Sequence, residues 1–272
     1  MIQLSVLRPL AALVAVSVAT SAALLAGCGS TPREAESQWS AERLYSEAKE
    51  EASTGNFERA GRLYERLEGR ASGTALAQQA QIERAYMLYK SGDKAQALSV
   101  LERFIKLHPT SAASDYALYL QGLVNFNDNL GLLGSLARQD LSERDQQASR
   151  DSYQSFRQLT DQYPQSIYAD DARLRMNYIV NTLAAYEVHV ARYYYSRGAY
   201  VSAVNRAQAA ITDYRDVPAL EEAMFILYKS YDALGLQDLR DDAKRVLATT
   251  YPKSDYITKA FKSPKDAWYK IW

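Results

Sequence analysis

The sequence of 272 residues has few of the side chains on which catalytic and metal sites usually depend. It contains two histidines, His108 and His189, whose spacing does not suggest metal ligands, and one cysteine, Cys28. A single cysteine excludes a disulfide within the chain. No glycine-rich phosphate loop occurs, and paired carboxylates such as Asp170 and Asp171 fall where helices are expected to begin. We therefore expect no enzymatic activity, no cofactor and no bound metal.

Net charge and turn-forming residues are also scarce. Thirty-two basic residues balance 32 acidic residues, so the composition gives no indication of a nucleic-acid partner. Only 12 glycines and 7 prolines interrupt a chain that is 47% hydrophobic, which favours long helices over many short strands. The sequence is predicted to fold and to be all-α.

The stretch from Gln78 to Ser111 contains the unit that recurs along the chain. Apolar residues follow helical spacing as far as Tyr89, Gly92 interrupts the pattern, and a second amphipathic run stops at Pro109. This helix hairpin of 34 residues resembles a tetratricopeptide (TPR) repeat. One hairpin cannot bury its own apolar face, so further copies are expected.

Five such copies can be recognised, and they predict a TPR α-solenoid of five helix hairpins. The distance from Pro109 to Pro164 is 55 residues, one repeat plus 21, which places an insertion at about 127–147 in the third copy. The insertion is either a functional loop or an ordinary one. A helix-sized segment at 170–182 is expected to be a separate element between the two halves. The predicted parts are an N-terminal half at 41–168, a C-terminal half at 169–254, and a tail at 255–272 that either docks a partner or caps the last repeat.

The N-terminus resembles a bacterial lipoprotein signal. Residues 1–27 carry an apolar run that ends Leu25-Ala26-Gly27 directly before Cys28. The resemblance implies that Cys28 is lipidated. The stretch that follows is polar and lacks periodicity, which predicts a tether at residues 28–40. Gly29 stands where this class of lipoproteins has Asp for inner-membrane retention, so the implied location is the periplasmic face of the outer membrane.

In TPR proteins, side chains from the first helix of each hairpin line an inner groove. Counted along this sequence, those positions give an aromatic groove edged by lysine, with Lys49 beside it, suited to an extended peptide that carries aromatic side chains and a free carboxylate. An alternative register, shifted by one residue, would place the rings in the core. The predicted groove residues are Tyr45, Ile82, Tyr86, Tyr89, Lys90, Tyr116, Tyr119, Leu123 and Phe126.

The lipoprotein signal, the five units, the insertion in the third unit and the run from Tyr193 to Tyr200 together resemble the BamD family, the lipoproteins of the outer-membrane β-barrel assembly machine (BAM complex). The resemblance implies a periplasmic scaffold that receives the C-terminal targeting signal of unfolded β-barrel proteins and holds a POTRA domain of BamA. BamC and BamE are implied as further partners, with BamB as an additional candidate. The turn would contact BamA through Tyr194, Arg197 and Gly198.

A second hypothesis comes from a different class of protein. Lipid-anchored TPR proteins also recruit enzymes that synthesise or hydrolyse peptidoglycan, and that role would leave barrel assembly normal.

Overall fold

The computed structural model describes residues 36–126 and 146–258, and these residues form helices and turns without any strand. Cys28, most of the insertion and most of the C-terminal tail lie outside the described residues. After a short 3-10 turn at Glu36–Gln38, the helices are α1 (Ala41–Ser53), α2 (Phe57–Arg70), α3 (Ala75–Lys90), α4 (Lys94–Leu107), α5 (Ser114–Asn125), α6 (Gln146–Gln162), α7 (Ala169–Ser196), α8 (Tyr200–Asp213), α9 (Ala219–Ala233), α10 (Gln237–Thr250) and α11 (Asp255–Thr258).

The first ten helices form five antiparallel hairpins that stack in chain order. Each hairpin packs its two helices together, and its second helix also packs on the first helix of the next hairpin. First helices of neighbouring hairpins touch as well, α3 with α5 and α7 with α9. Because each hairpin contacts its neighbours in the chain, the architecture is the predicted helical-repeat solenoid.

A glycine with positive φ occupies the turn of four hairpins. At Gly92, where φ is +90°, the next N–H, that of Asp93, donates to the Leu88 carbonyl at 2.9 Å and closes the end of α3. Residues with a Cβ rarely adopt this conformation, so the glycine defines where the first helix stops. Equivalent turns contain Gly55, Gly198 and Gly235.

The two helices of the third hairpin cross at closer range than ordinary side chains would allow. The ring of Phe156 on α6 lies over Gly122 on α5, where a Cβ atom would come within 2.4 Å of Phe156 Cε1. In the second hairpin the corresponding region contains Ala85 and Ala97, both fully buried. The helix contact in the third hairpin thus pairs a glycine with a large ring, whereas the contact in the second hairpin uses two alanines.

The prediction of a separate helix at 170–182 was wrong. Helix α7 runs without a break from Ala169 to Ser196 and includes both that segment and the first helix of the fourth repeat. No glycine or proline occurs within these 28 residues, so nothing in the sequence terminates the helix. The N-terminal part of α7 packs on α6, and the helix as a whole also contacts α8 and α9.

Candidate peptide-binding groove

One face of α3 carries four polar or aromatic side chains at helical spacing. Gln79, Glu83, Tyr86 and Lys90 are all exposed or half-buried. Ile82, which the sequence register assigned to the groove, is instead 5% exposed and packs in the core with Ala85 and Ala97. The residue that faces the neighbouring helices at this level is Glu83, one position further along the chain.

Helix α1 supplies the N-terminal end of this surface. Tyr45 is half-buried, and its hydroxyl accepts a hydrogen bond from Gln79 Nε2 at 3.0 Å. The Nζ atom of Lys49 lies 5.5 Å from the centroid of the Tyr45 ring. Lys49 is exposed, so its charge stays available at the rim of the groove.

Glu83 lies among tyrosines and is half-buried. Burial raises the pKa of its carboxyl group, while the charge of Lys49 and a hydrogen bond from Gln79 act in the opposite direction. The same carboxylate helps to raise the pKa values of Tyr64 and Tyr116. The Glu83 carboxylate on α3 therefore interacts electrostatically with side chains on α1, α2 and α5.

Three tyrosines stack at the C-terminal end of the surface. The rings of Tyr119 and Tyr168 stack with their centroids 4.7 Å apart, and the Tyr116 ring lies 5.3 Å from that of Tyr168. Burial, the Glu83 carboxylate and neighbouring tyrosines raise the pKa of Tyr116 to about 12. The Tyr116 hydroxyl therefore remains protonated at physiological pH and can donate a hydrogen bond.

A hydrogen-bond network fixes the orientation of Tyr119. Its hydroxyl donates to Asp171 Oδ2 at 2.7 Å, and Arg175 Nε donates to the same oxygen at 2.6 Å. Burial alone would raise the pKa of Asp171, but the hydrogen bonds from Arg175 and Tyr119 lower it below its usual value. The Arg175 guanidinium carbon also lies 4.8 Å from the centroid of the Phe126 ring.

The other predicted groove residues have different environments. Phe126 is 9% exposed and packs edge-on against Phe156, with ring centroids 6.2 Å apart, so it contributes little accessible surface. Tyr89 and Leu123 are half-buried. Lys90 is exposed, and its Nζ atom lies 5.6 Å from the centroid of Phe57.

The residues predicted for the groove did not include Glu83, Tyr168, Asp171 or Arg175. Glu83 could have been found from the i, i+4, i+7 spacing of Gln79, Glu83 and Tyr86. Tyr168, by contrast, precedes α7 and reaches α5 only through the stacking of the third and fourth repeats. No local sequence signal indicates that contact.

The turn between α7 and α8 exposes the residues predicted to contact BamA. Gly198 has a φ of +77° and Arg197 is exposed, with its guanidinium carbon 4.7 Å from the centroid of the Tyr193 ring. Arg197 makes no ion pair with a described residue. Tyr194 is half-buried against the core, with its ring 5.8 Å from that of Tyr193.

Residues 36–126 and 146–258 contain no group of three or more histidine, cysteine, aspartate or glutamate side chains that could hold a metal ion. In the same two segments, no helix combines the length and hydropathy needed to cross a membrane. The ring of His108 packs 5.2 Å from that of Phe104.

A stack of helix hairpins whose first helices present half-buried tyrosines defines a helical-repeat scaffold. A family model described as "Outer membrane lipoprotein", YfiO, matches residues 37–247. The chain belongs to this family, which is the BamD family of outer membrane protein assembly factors.

Curated relatives match almost the whole chain. It is 42% identical over 259 residues to "Outer membrane protein assembly factor BamD" of Neisseria meningitidis serogroup A, covering 95% of this chain and 97% of that protein. It is 35% identical to the protein of the same name from Xylella fastidiosa strain Temecula1, covering 89% and 83%. A solved structure of Podosopora anserina kinesin light chain TPR-like repeats aligns over 81% of this chain and 99% of that chain, at 15% identity and a TM-score of 0.33.

Proposed function

We propose that this protein is a non-enzymatic scaffold, lipid-anchored at Cys28 on the periplasmic face of the outer membrane, that assists the insertion of β-barrel proteins. Its groove receives the C-terminal targeting signal of an unfolded barrel protein. Its C-terminal half holds a POTRA domain of BamA, and BamC and BamE, with BamB as an additional candidate, complete the assembly. Family membership supports the assembly role, and the tyrosine groove supports the mode of substrate binding.

The observation that carries the substrate proposal is the row of half-buried rings contributed by Tyr45, Tyr86, Tyr116, Tyr119 and Tyr168. Such rings offer flat apolar surface to the side chains of an extended peptide while their hydroxyls bind its backbone. The rings of Tyr116, Tyr119 and Tyr168 are already held by ring contacts and by the Asp171 network, so these rings lose little conformational entropy on binding.

Charge at the groove supports recognition of a chain terminus. Lys49 and Lys90 are exposed at its rim and can attract a free carboxylate. Glu83, half-buried between the tyrosines, repels a carboxylate placed deeper in the groove. A peptide ending in an aromatic residue therefore binds with its terminus towards the lysines and its aromatic side chains over the rings.

A contact with BamA is proposed for the turn that contains Arg197. The guanidinium lies over the Tyr193 ring without an ion-pair partner among the described residues, which leaves it able to bind a carboxylate of another protein.

The tether at residues 28–40 connects the repeats to the lipid anchor. The ten residues from Gly29 to Gln38 span at most roughly 33 Å when extended, so the repeats stay close to the membrane surface.

Peptide binding can be measured by fluorescence anisotropy with the full-length chain in detergent. The probe is a labelled peptide of alternating aromatic and polar residues that ends in phenylalanine, as a free acid and as a C-terminal amide. We expect the amide to bind about tenfold more weakly. Tyr116→Leu should weaken binding of the free acid, whereas Tyr228→Leu, which changes a half-buried tyrosine on α9, should not. Equal affinities for acid and amide, together with no effect of Tyr116→Leu, would refute the groove.

A further inference from the structure

A second cleft lies between the third and fourth repeats, away from the groove. Residues of α6, the middle of α7, and the end of α8 with the loop after it line a cavity of about 530 Å³. Its apolar lining comes from Val180 and Leu183, and Tyr153 and Tyr214 add aromatic surface. Leu183 and Tyr214 are 6% and 7% exposed, so this part of the cleft is built into the core.

Three arginines line this cleft: Arg150, Arg157 and Arg215. Arg150 approaches Gln146 Oε1 at 3.4 Å and lies near Tyr214, but forms no ion pair with a described residue. Arg215 forms neither a hydrogen bond nor an ion pair within the described part of the chain. Arg157 pairs with Asp161 at 3.5 Å. Arg150 and Arg215 therefore carry positive charge that no described residue neutralises through an ion pair.

Another cleft among the described residues provides an internal comparison. It has a volume of about 460 Å³, lies between the first and second repeats, and is also lined by arginines. There Arg84 pairs with Glu65 and Arg103 pairs with Glu68, each at 2.8 Å. In the cleft between the third and fourth repeats, Asp213 is the one carboxylate among the described lining residues, and it pairs with none of these arginines. Within the described residues, Arg150 and Arg215 have no ion-pair partners corresponding to Glu65 and Glu68 in the first cleft.

We propose that the cleft between the third and fourth repeats binds an acidic segment of a partner protein. The planar guanidinium groups of Arg150 and Arg215 bind a glutamate or aspartate carboxylate, and an adjacent aliphatic side chain packs on Leu183 and Val180. The small apolar lining accommodates one such side chain rather than the acyl chains of a lipid. This interaction surface is separate from the tyrosine groove, and the proposal does not depend on what the groove binds.

The test uses fluorescence anisotropy with the full-length chain in detergent and a labelled octapeptide of alternating glutamate and leucine. The matched probe contains glutamine in place of glutamate. We expect the glutamate peptide to bind at least about tenfold more tightly, and the Arg150→Gln/Arg215→Gln variant to lose that preference. The control, Arg62→Gln/Arg245→Gln, removes two exposed arginines elsewhere and should retain it.

A second variant tests the cleft without removing its arginines. Gln154 lies exposed on α6 at the edge of the cleft, and Gln154→Glu supplies a carboxylate comparable to Glu68 in the other cleft. This substitution should reduce binding of the glutamate peptide because an internal carboxylate competes for the arginines. Unchanged binding in both the double arginine variant and Gln154→Glu would overturn the proposal.

Binding to anionic lipid is the alternative outcome. Vesicles of phosphatidylcholine with and without phosphatidylglycerol should bind the double arginine variant as well as they bind the unchanged chain, with Cys28→Ser in both proteins so that the proposed lipid anchor does not bind the vesicles. Loss of vesicle binding in that variant, with no preference between the two peptides, would assign the cleft to a lipid headgroup and overturn the proposal.

Discussion

The hydroxyl of Tyr119 on α5 donates a hydrogen bond of 2.7 Å to the carboxylate of Asp171 on α7 and thereby joins the third repeat to the long helix that follows it. The same tyrosine ring stacks on Tyr168. One side chain therefore contributes both to the contact between the two halves of the molecule and to the tyrosine groove.

Tyr119→Phe should lower the free energy of unfolding by about 1 kcal/mol, because it removes one hydrogen bond to a charged, partly buried acceptor. The ring and its stacking on Tyr168 remain. Urea unfolding measures the change, and Tyr163→Phe is the matched control. The Tyr163 hydroxyl makes an exposed hydrogen bond of 3.3 Å to the Pro109 carbonyl, and its loss should cost less. Equal losses in the two variants would contradict the role assigned to Asp171.

The lowered pKa of Asp171 predicts a contribution to acid stability. A carboxyl group whose pKa is lower in the folded than in the unfolded state stabilises the fold at pH values above the unfolded pKa, about 3.9. That contribution is lost as the pH falls through the folded pKa. Asp171→Asn should therefore flatten the fall in stability below about pH 5, as measured by urea unfolding across pH.

Asp170→Asn provides the control for this pH dependence. The Asp170 side chain is adjacent in sequence but 96% exposed. The Asp170→Asn variant should show the same fall in unfolding free energy at low pH as the unchanged chain. If both variants gave the same pH profile, Asp171 would not be the responsible group.

The packing of Phe156 on Gly122 predicts that a single methyl group is not tolerated there. Gly122→Ala would place Cβ within 2.4 Å of the ring, and forcing the helices apart should cost about 1–3 kcal/mol of stability. Gly69→Ala in α2 is the matched control, because a Cβ at that position meets nothing within 4 Å. It should be neutral or stabilise the fold by up to about 1 kcal/mol, since alanine favours helix. Thermal unfolding of both variants measures the difference.

Arg197→Glu should weaken co-purification with BamA from detergent-solubilised outer membranes while leaving thermal stability unchanged. The side chain lies on an exposed turn, so reversing its charge removes little buried surface. Arg245→Glu, on the exposed side of α10, controls for a general effect of charge. Undiminished recovery of BamA with Arg197→Glu would remove this residue from the interface.

The repeat architecture could be predicted from the sequence because the residues that specify it act locally. Helical spacing, a turn glycine such as Gly92 and an end-of-unit proline such as Pro109 each act within one hairpin. The boundaries at α7 were predicted incorrectly for the opposite reason. Conformity to the 34-residue repeat suggested a break near residue 183, but no residue there ends a helix.

Only part of the groove could be predicted from the sequence. Counting along the repeat selected Tyr86, Tyr116 and Tyr119, and the structure places these three half-buried on the first helices. It also selected Ile82, which the structure buries in the core with Ala85 and Ala97. Glu83 and Tyr168 complete the site through contacts between repeats, and such contacts depend on how the hairpins stack.

The most direct test of the central claim is site-specific photo-crosslinking in intact cells. A benzophenone amino acid at position 86, in the groove, is compared with the same amino acid at position 228 on α9. The account predicts that position 86 crosslinks to unfolded β-barrel precursors, that position 228 does not, and that deleting the C-terminal aromatic residue of a precursor abolishes its crosslink. Equal crosslinking at the two positions, or a crosslink indifferent to that deletion, would contradict recognition of the targeting signal by the tyrosine groove.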